Sequence, residues 1–275
     1  MKTYIIAEIG INHNGSLMDA LELMCVAQHA GCHAVKFQKR NPDVCVPEHQ
    51  KCIGKDTPWG TMSYLEYKKK IEFDKRQFDA IDTYSKDIGI EWSASPWDID
   101  SLDFLMQYDL PWIKLPSAMI TNTELVSHCA ATHKKLIIST GMSTEQEIDD
   151  VVKQVKRYHD NFVLMHCNST YPAPVEEIDL SCIKKLQAKY LCPVGYSGHE
   201  LGTTVTSASI YMGATYIERH ITLDKDNWGT DQECSLEPLE LRLLVGEIQL
   251  LELARGKGII GVTESEKPVR KKLRG

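Results

Sequence analysis

No apolar run in this 275-residue chain approaches the ~20 residues needed to cross a bilayer as a helix. None of its nine cysteines stands in a Cys-x-x-Cys pair. An excess of basic charge is missing too. The 31 Lys and Arg are outnumbered by 38 Asp and Glu, for a net charge of −7. That balance argues against nucleic acid or an acidic membrane as the main partner, although a local lysine cluster could still hold a small anion. There is no low-complexity segment, and the sequence opens on a strand-like run with no signal peptide. Cys25, Cys129 and Cys167 lie within apolar segments, where a free thiol behaves as a small hydrophobe. An odd number of scattered cysteines points to the reducing cytoplasm. Among them only Cys167, beside His166, is worth testing as a reactive thiol.

What is present is an ordinary globular balance, 43% hydrophobic and 25% charged, at the usual length of one (β/α)₈ barrel. One phrase repeats: apolar strand, loop, amphipathic helix, often a glycine, next strand. Strands are expected to begin near residues 3, 33, 90, 112, 135, 162, 192 and 215. Gly31, Gly89 and Gly213 stand where helix C-caps are expected, and Ser16 and Ser143 where N-caps are expected. Eight such units predict an α/β (β/α)₈ TIM barrel over residues 1–256. An open doubly wound sheet would concentrate its chemistry at one switch point, whereas polar strand ends are spread over nearly all units here. Two segments break the rhythm. Residues 39–73 form an insertion with three prolines, long enough to be functional, and 257–275 read as a charged tail or linker.

The strand ends carry the functional signal. His199 follows Ser197 by two positions and His220 follows Glu218 by two, so each pair shares a strand face. Two imidazoles aimed into one cavity could hold a divalent metal ion, although either one alone is more often a satisfied structural residue than a ligand. The same design recurs at Glu8, at Lys36 and Gln38, at Lys114, at Ser139, and at His166 and Asn168. A lysine inside an apolar strand is costly without an anionic partner, which makes Lys36 and Lys114 candidate anion ligands.

At this point the chain resembles the sialic acid synthase (N-acetylneuraminate synthase) family. The motifs that carry the resemblance are Ala7–Gly15, Val35–Gln38, Thr57–Tyr67, Ser139–Met142, His166–Pro172 and Ser235–Pro238, in the family's order. The resemblance implies a transferase that joins phosphoenolpyruvate to an open-chain aldose, N-acetylmannosamine or a relative. It implies that His199 and His220 hold Mn²⁺ or Mg²⁺, which polarises the sugar aldehyde. Lys36 and Lys114 would supply charge to the phosphate and carboxylate, with Ser117, Ser139, Ser169 and Ser197 as neutral donors. Glu8 or Glu218 would orient or deprotonate the water that adds to carbon 2. Gln38, Tyr171 and Asp231 would line the sugar side, although Asp231 also reads as a plain turn residue. A homodimer is implied as well.

The sequence departs from the pattern at Gly198, where the family often carries Asp, and at Asn168-Ser169, where Thr-Asn is common. It also ends within a linker that in the family usually leads to an antifreeze-like cap domain, so the expectation is either a separate cap protein or no cap and a different, plainer aldose. Two other readings stand beside the synthase. One is a Schiff-base barrel aldolase using Lys114 or Lys36, and the other a non-catalytic barrel that binds phosphoenolpyruvate or sugar.

Overall fold

The period-2 alternation of the apolar runs sorts them into strands with one face inward and one outward. A computed structural model describes residues 2–275. Its strands are β1 (Tyr4–Gly10), β2 (Ala34–Lys39), β3 (Gly54–Thr57), β4 (Gly60–Ser63), β5 (Glu91–Pro96), β6 (Trp112–Leu115), β7 (Lys135–Ser139), β8 (Phe162–His166), β9 (Val194–Gly198) and β10 (Tyr216–His220). Eight pair in parallel in the order β5-β2-β1-β10-β9-β8-β7-β6, while β3 and β4 form a separate hairpin. At the seam Ser93 Oγ on β5 donates to the Trp112 carbonyl on β6. The sheet therefore curls into the nearly closed (β/α)₈ barrel that the sequence predicts, with helices packed outside it.

Two apolar layers follow from the alternation. Ile6, Ala34, Trp112, Ile137, Val163 and Met165 point inward and plug the barrel. Their strand neighbours, among them Ile5, Ala7, Val35, Leu136, Leu164 and Ile217, point outward and pack against the helices. Each buried Val, Leu, Ile or Met among them contributes roughly 1.5–3 kcal/mol by leaving water. Parallel pairing brings all eight strand C-termini to one mouth, where the inward positions turn polar.

Helix ends follow the local chemistry. Ser16 Oγ accepts from the Asp19 backbone N–H at 3.2 Å, and Gly31 closes the helix Leu17–Ala30 at φ 91°, a conformation that suits glycine. The helix expected to start at Ser143 starts one residue later. Ser143 Oγ instead donates to the Gly141 carbonyl at 3.0 Å, and Thr144 makes a capping box with Glu147. Residues 39–73 hold more structure than a loop: the β3–β4 hairpin and a helix over Tyr64–Ile71, capped by Ser63 and Glu66. From this segment Tyr67 sets its ring edge-on to Trp228 at 5.2 Å, and Trp59 lies 6.0 Å from the same indole. The insertion thus walls the side of the mouth formed by the segment after β10. Residues 256–275 are exposed throughout and include one helix, Glu266–Arg274. No helix among the described residues is long and apolar enough to cross a membrane.

Candidate active site

Inward positions at the ends of eight strands converge on a single cavity. Its lining includes Glu8, Lys36, Gln38, Lys114, Ser117, Ser139, Ser169, Tyr171, Ser197, His199, Glu218 and His220, twelve of the thirteen residues that the family resemblance assigns. The thirteenth, Asp231, lies beside the cavity, its carboxylate 4.0 Å from His220 Nδ1. Its segment is tied down by Ser235 Oγ, which donates to the Asp231 carbonyl at 2.6 Å.

At the floor, four buried charges interlock. Lys36 Nζ lies 2.7 Å from Glu8 Oε2 and 3.8 Å from Glu218 Oε1, and Lys114 Nζ donates to both Glu218 oxygens at 2.8 and 2.9 Å. Ser197 Oγ adds a bond to Glu218 at 3.3 Å, and Ser95 Oγ accepts from Lys36 at 3.1 Å. The two carboxylates part ways. Burial raises the Glu8 carboxyl to about 7, since Lys36 only partly offsets the loss of water. Burial also opposes ionisation of Glu218, but Lys114 and Lys36 together hold its carboxyl well below the usual range. Burial lowers the ammonium of Lys114, whereas for Lys36 the attraction of Glu218 and Glu8 overcomes burial and raises it. The floor is therefore neutral when all four groups are charged and carries one net positive charge when Glu8 is protonated.

Small donors cluster on one flank. Ser117 Oγ accepts the Gly141 N–H at 3.0 Å and lies 3.3 Å from Cys167 Sγ. A Cβ at Gly141 would stand 2.3 Å from Ser169 Oγ and 2.9 Å from Ser117 Oγ, so only glycine leaves this pair of hydroxyls facing the cavity. On the opposite flank stand the histidines, their ring centroids 5.5 Å apart, with the Tyr171 ring 4.1 Å from His199. Burial lowers both imidazoles, holding them neutral and able to donate a lone pair. His199 Nδ1 is tied to the Asn168 carbonyl at 2.6 Å, which turns Nε2 free as a ligand. His220 Nδ1 is buried and has no hydrogen-bond partner among the described residues. Gly10, at φ 56°, makes room here: a Cβ would stand 3.1 Å from Glu8 Oε1 and 3.3 Å from the His220 ring. An orphaned buried nitrogen beside a second oriented imidazole fits a divalent metal ion.

Two expectations are corrected, and some residues were not foreseen. His166 does not reach the mouth. Met165 already faces inward on β8, so His166 turns outward into a neighbouring cavity of about 510 Å³, and Asn168 offers the site only its backbone carbonyl. Cys167, between them, is the residue that faces in. Ser95 and Trp97 also line the site; the alternation Ser93 and Ser95 on β5, continued by Trp97 just past its end, carried that signal. Arg40, inside the insertion, stacks its guanidinium 3.9 Å over Trp97 and donates to Gln38. No periodic pattern points to it.

Comparison with known proteins agrees with this geometry. The family model described as NeuB family matches residues 23–260. The chain belongs to the NeuB family. It is 36% identical to the N,N'-diacetyllegionaminic acid synthase of Legionella pneumophila over 285 residues, covering 100% of this chain and 79% of that protein. It is 34% identical to human N-acetylneuraminate-9-phosphate synthase, covering 92% of this chain and 71% of that one. Among solved structures, the N-acetylneuraminic acid synthetase of Leptospira borgpetersenii superposes with a TM-score of 0.88 at 32% identity, over 100% of this chain and 93% of that one. The barrel of a 3-deoxy-D-arabino-heptulosonate 7-phosphate synthase from Thermotoga maritima, 15% identical with a TM-score of 0.72, shares the fold alone.

This NeuB-family chain keeps glycine at 198 for a steric reason. A Cβ there would meet Glu200 Oε2 at 2.5 Å, Tyr196 Cε1 at 2.8 Å and Thr206 Oγ1 at 2.9 Å. All three belong to a buried hydrogen-bonded group that cannot swing aside. Gly198→Ala is expected to cost ~1–3 kcal/mol of stability by overpacking. Urea denaturation measures this, and an unchanged midpoint would show that the pocket yields.

Proposed function

We propose that this chain condenses phosphoenolpyruvate with an aldose to give a 3-deoxy-2-keto sugar acid and phosphate. The observation that carries this reading is the pair of buried lysines in the barrel mouth, set beside hydroxyl donors on one flank and two neutral histidines on the other. The first group suits a small substrate with both phosphate and carboxylate; the second suits a carbonyl oxygen. Residues 1–256 form the catalytic barrel in this proposal, with 39–73 as a wall of the site and 257–275 as a charged tail. The names of the relatives, synthases of N-acetylneuraminate 9-phosphate and of diacetyllegionaminic acid, support an acceptor of the acetamido-aldose type, such as N-acetylmannosamine. A cytoplasmic homodimer is part of the same proposal.

Lys36 and Lys114 would neutralise the phosphate and carboxylate, and Ser117, Ser139, Ser169 and Ser197 would complete the hydrogen bonds of the anion. His199 and His220 would hold Mn²⁺ or Mg²⁺, which supplies Lewis-acid polarisation of the acceptor aldehyde. Gln38, Tyr171 and Asp231 would orient the sugar so that carbon 3 of phosphoenolpyruvate forms the new C–C bond with the aldehyde carbon. The aldehyde oxygen takes up a proton from solvent water, and positive charge develops at carbon 2. Water adds there and loses its proton to Glu8, whose raised carboxyl suits a base near neutral pH better than that of Glu218. Cleavage of the bond between carbon 2 and the phosphate oxygen then expels phosphate, which takes up the proton of the new hydroxyl and leaves the ketone. Glu218 stays ionised and fixes both lysines.

The test is inorganic phosphate release from phosphoenolpyruvate with Mn²⁺, across aldoses with and without a 2-acetamido group. Release that depends on the aldose and disappears with EDTA is expected. Metal-loaded protein that releases no phosphate with any aldose would overturn the reading. Borohydride with pyruvate is expected to leave no covalent label; labelling at Lys114 or Lys36 would favour the imine aldolase.

A further inference from the structure

The two histidines share one fastening on the far side of their strands. His199 precedes Glu200 and His220 follows Arg219, and these neighbours form a buried ion pair, Arg219 Nη1 to Glu200 Oε1 at 3.2 Å. Because side chains alternate, Arg219 points away from the cavity while Glu218 and His220 point into it. Arg219 is 1% exposed and Glu200 fully buried. A charge so placed is costly without hydrogen bonds; those of the two Arg219 amino groups reach three separate segments, and its buried Nε has no partner among the described residues. Nη1 donates to the Gly202 carbonyl at 2.7 Å and to Thr206 Oγ1 at 2.9 Å. Nη2 donates to the Glu200 carbonyl at 2.7 Å and to the Cys234 carbonyl at 3.4 Å. Glu200 is held in turn by Tyr196 Oη at 2.8 Å and Thr206 Oγ1 at 2.5 Å.

We infer that Arg219 is a positioning residue that sets the spacing of His199, His220 and Asp231. One planar guanidinium, fixed on β10 beside His220, clasps the turn that carries His199 and the turn that carries Asp231. The planar fork matters, since a lysine could keep the ion pair with Glu200 but could not serve the Gly202, Glu200 and Cys234 carbonyls together. The lysines of the anion side stand on β2 and β6, and although Glu218 and Ser197 share β10 and β9 with the clasp, their bonds run to Lys114 and to each other and not to Arg219. Arg219 therefore acts first on the metal and acceptor half of the site, and only through Glu218 and Ser197 on the anion half.

This inference rests on reading His199 and His220 as metal ligands, and the experiment separates the two claims. Mn²⁺ binding, followed by the electron paramagnetic resonance of free Mn²⁺, would be compared in wild type, Arg219→Lys and the double variant Arg219→Met with Glu200→Gln, which buries no lone charge. Loss of such outer support typically weakens a metal site ~10–100-fold. A loss of that size is expected in both variants, with a much smaller change in phosphoenolpyruvate affinity and thermal stability largely kept in Arg219→Lys. Backbone hydrogen exchange is expected to quicken over 199–203 and 231–236 while β2 and β6 keep their protection. Mn²⁺ affinity that follows thermal stability across the variants, or exchange that quickens everywhere alike, would reduce Arg219 to a structural residue and overturn the inference. Wild-type protein that fails to bind Mn²⁺ would sink the metal reading instead, and the exchange pattern would still decide whether Arg219 clasps those two turns.

Discussion

Replacing His220 by alanine is expected to cut aldose-dependent phosphate release by on the order of 10³-fold, the size of several kcal/mol of lost charge stabilisation at the reacting carbonyl. The imidazole is buried and neutral, and its Nδ1 has no protein partner among the described residues. A nitrogen in that condition costs stability unless something from outside the chain uses it. Alanine removes the donor without touching the lysines, so phosphoenolpyruvate should still bind, as isothermal titration without an acceptor can show. His199→Ala should cost a similar amount, and the double variant hardly more, because two ligands of one ion act as a unit. Additive losses in the double variant would mean that the histidines serve separate ends. Near wild-type turnover in either single variant would remove the metal reading altogether.

Much of this site was legible before the fold was known, because the barrel converts a one-dimensional rule into a place. Where an apolar strand turns polar at its last inward position, the parallel sheet can deliver that side chain only to the mouth, and Lys36, Lys114, Ser197 and Glu218 all obey. The rule failed where the phase was misjudged. His166 looked as polar as His199, but it stands one position out of step with Met165 and faces the helices. It was silent where function depends on contacts between distant segments. Arg219 reads as one more charge in Tyr216–Thr222, and only the folded chain brings its guanidinium to the Gly202 and Cys234 carbonyls. Arg40 and the hairpin of the insertion belong to the same class, since residues 39–73 carry no repeat against which a phase could be read. The contrast between Glu8 and Glu218 could not be read from sequence either. Both are inward glutamates on neighbouring strands, and only the positions of two ammonium groups separate them.

That separation yields the second large effect. Glu8→Gln is expected to lower turnover by ~10²–10⁴-fold, the usual contribution of a positioned base. It should also remove a limb of the pH profile. Because burial raises the Glu8 carboxyl to about 7, the group is protonated below that pH and has no lone pair to offer the attacking water. Turnover in the wild type should therefore climb as pH rises toward about 7 and level off above it, whereas the Gln variant should be slow and flat across that range. Glu218→Gln should behave differently. Its carboxylate is ionised throughout the same range, so no limb near neutrality belongs to it, and its removal strips Lys114 of its ion-pair partner. The expected signature is lost stability, ~3–5 kcal/mol for a broken buried pair. Rate–pH profiles of the two variants, set beside their denaturation midpoints, decide between them. A limb that persists in Glu8→Gln and vanishes in Glu218→Gln would exchange the roles, and it would mean that bound substrate draws the lysines away from Glu218 and frees it to act as the base.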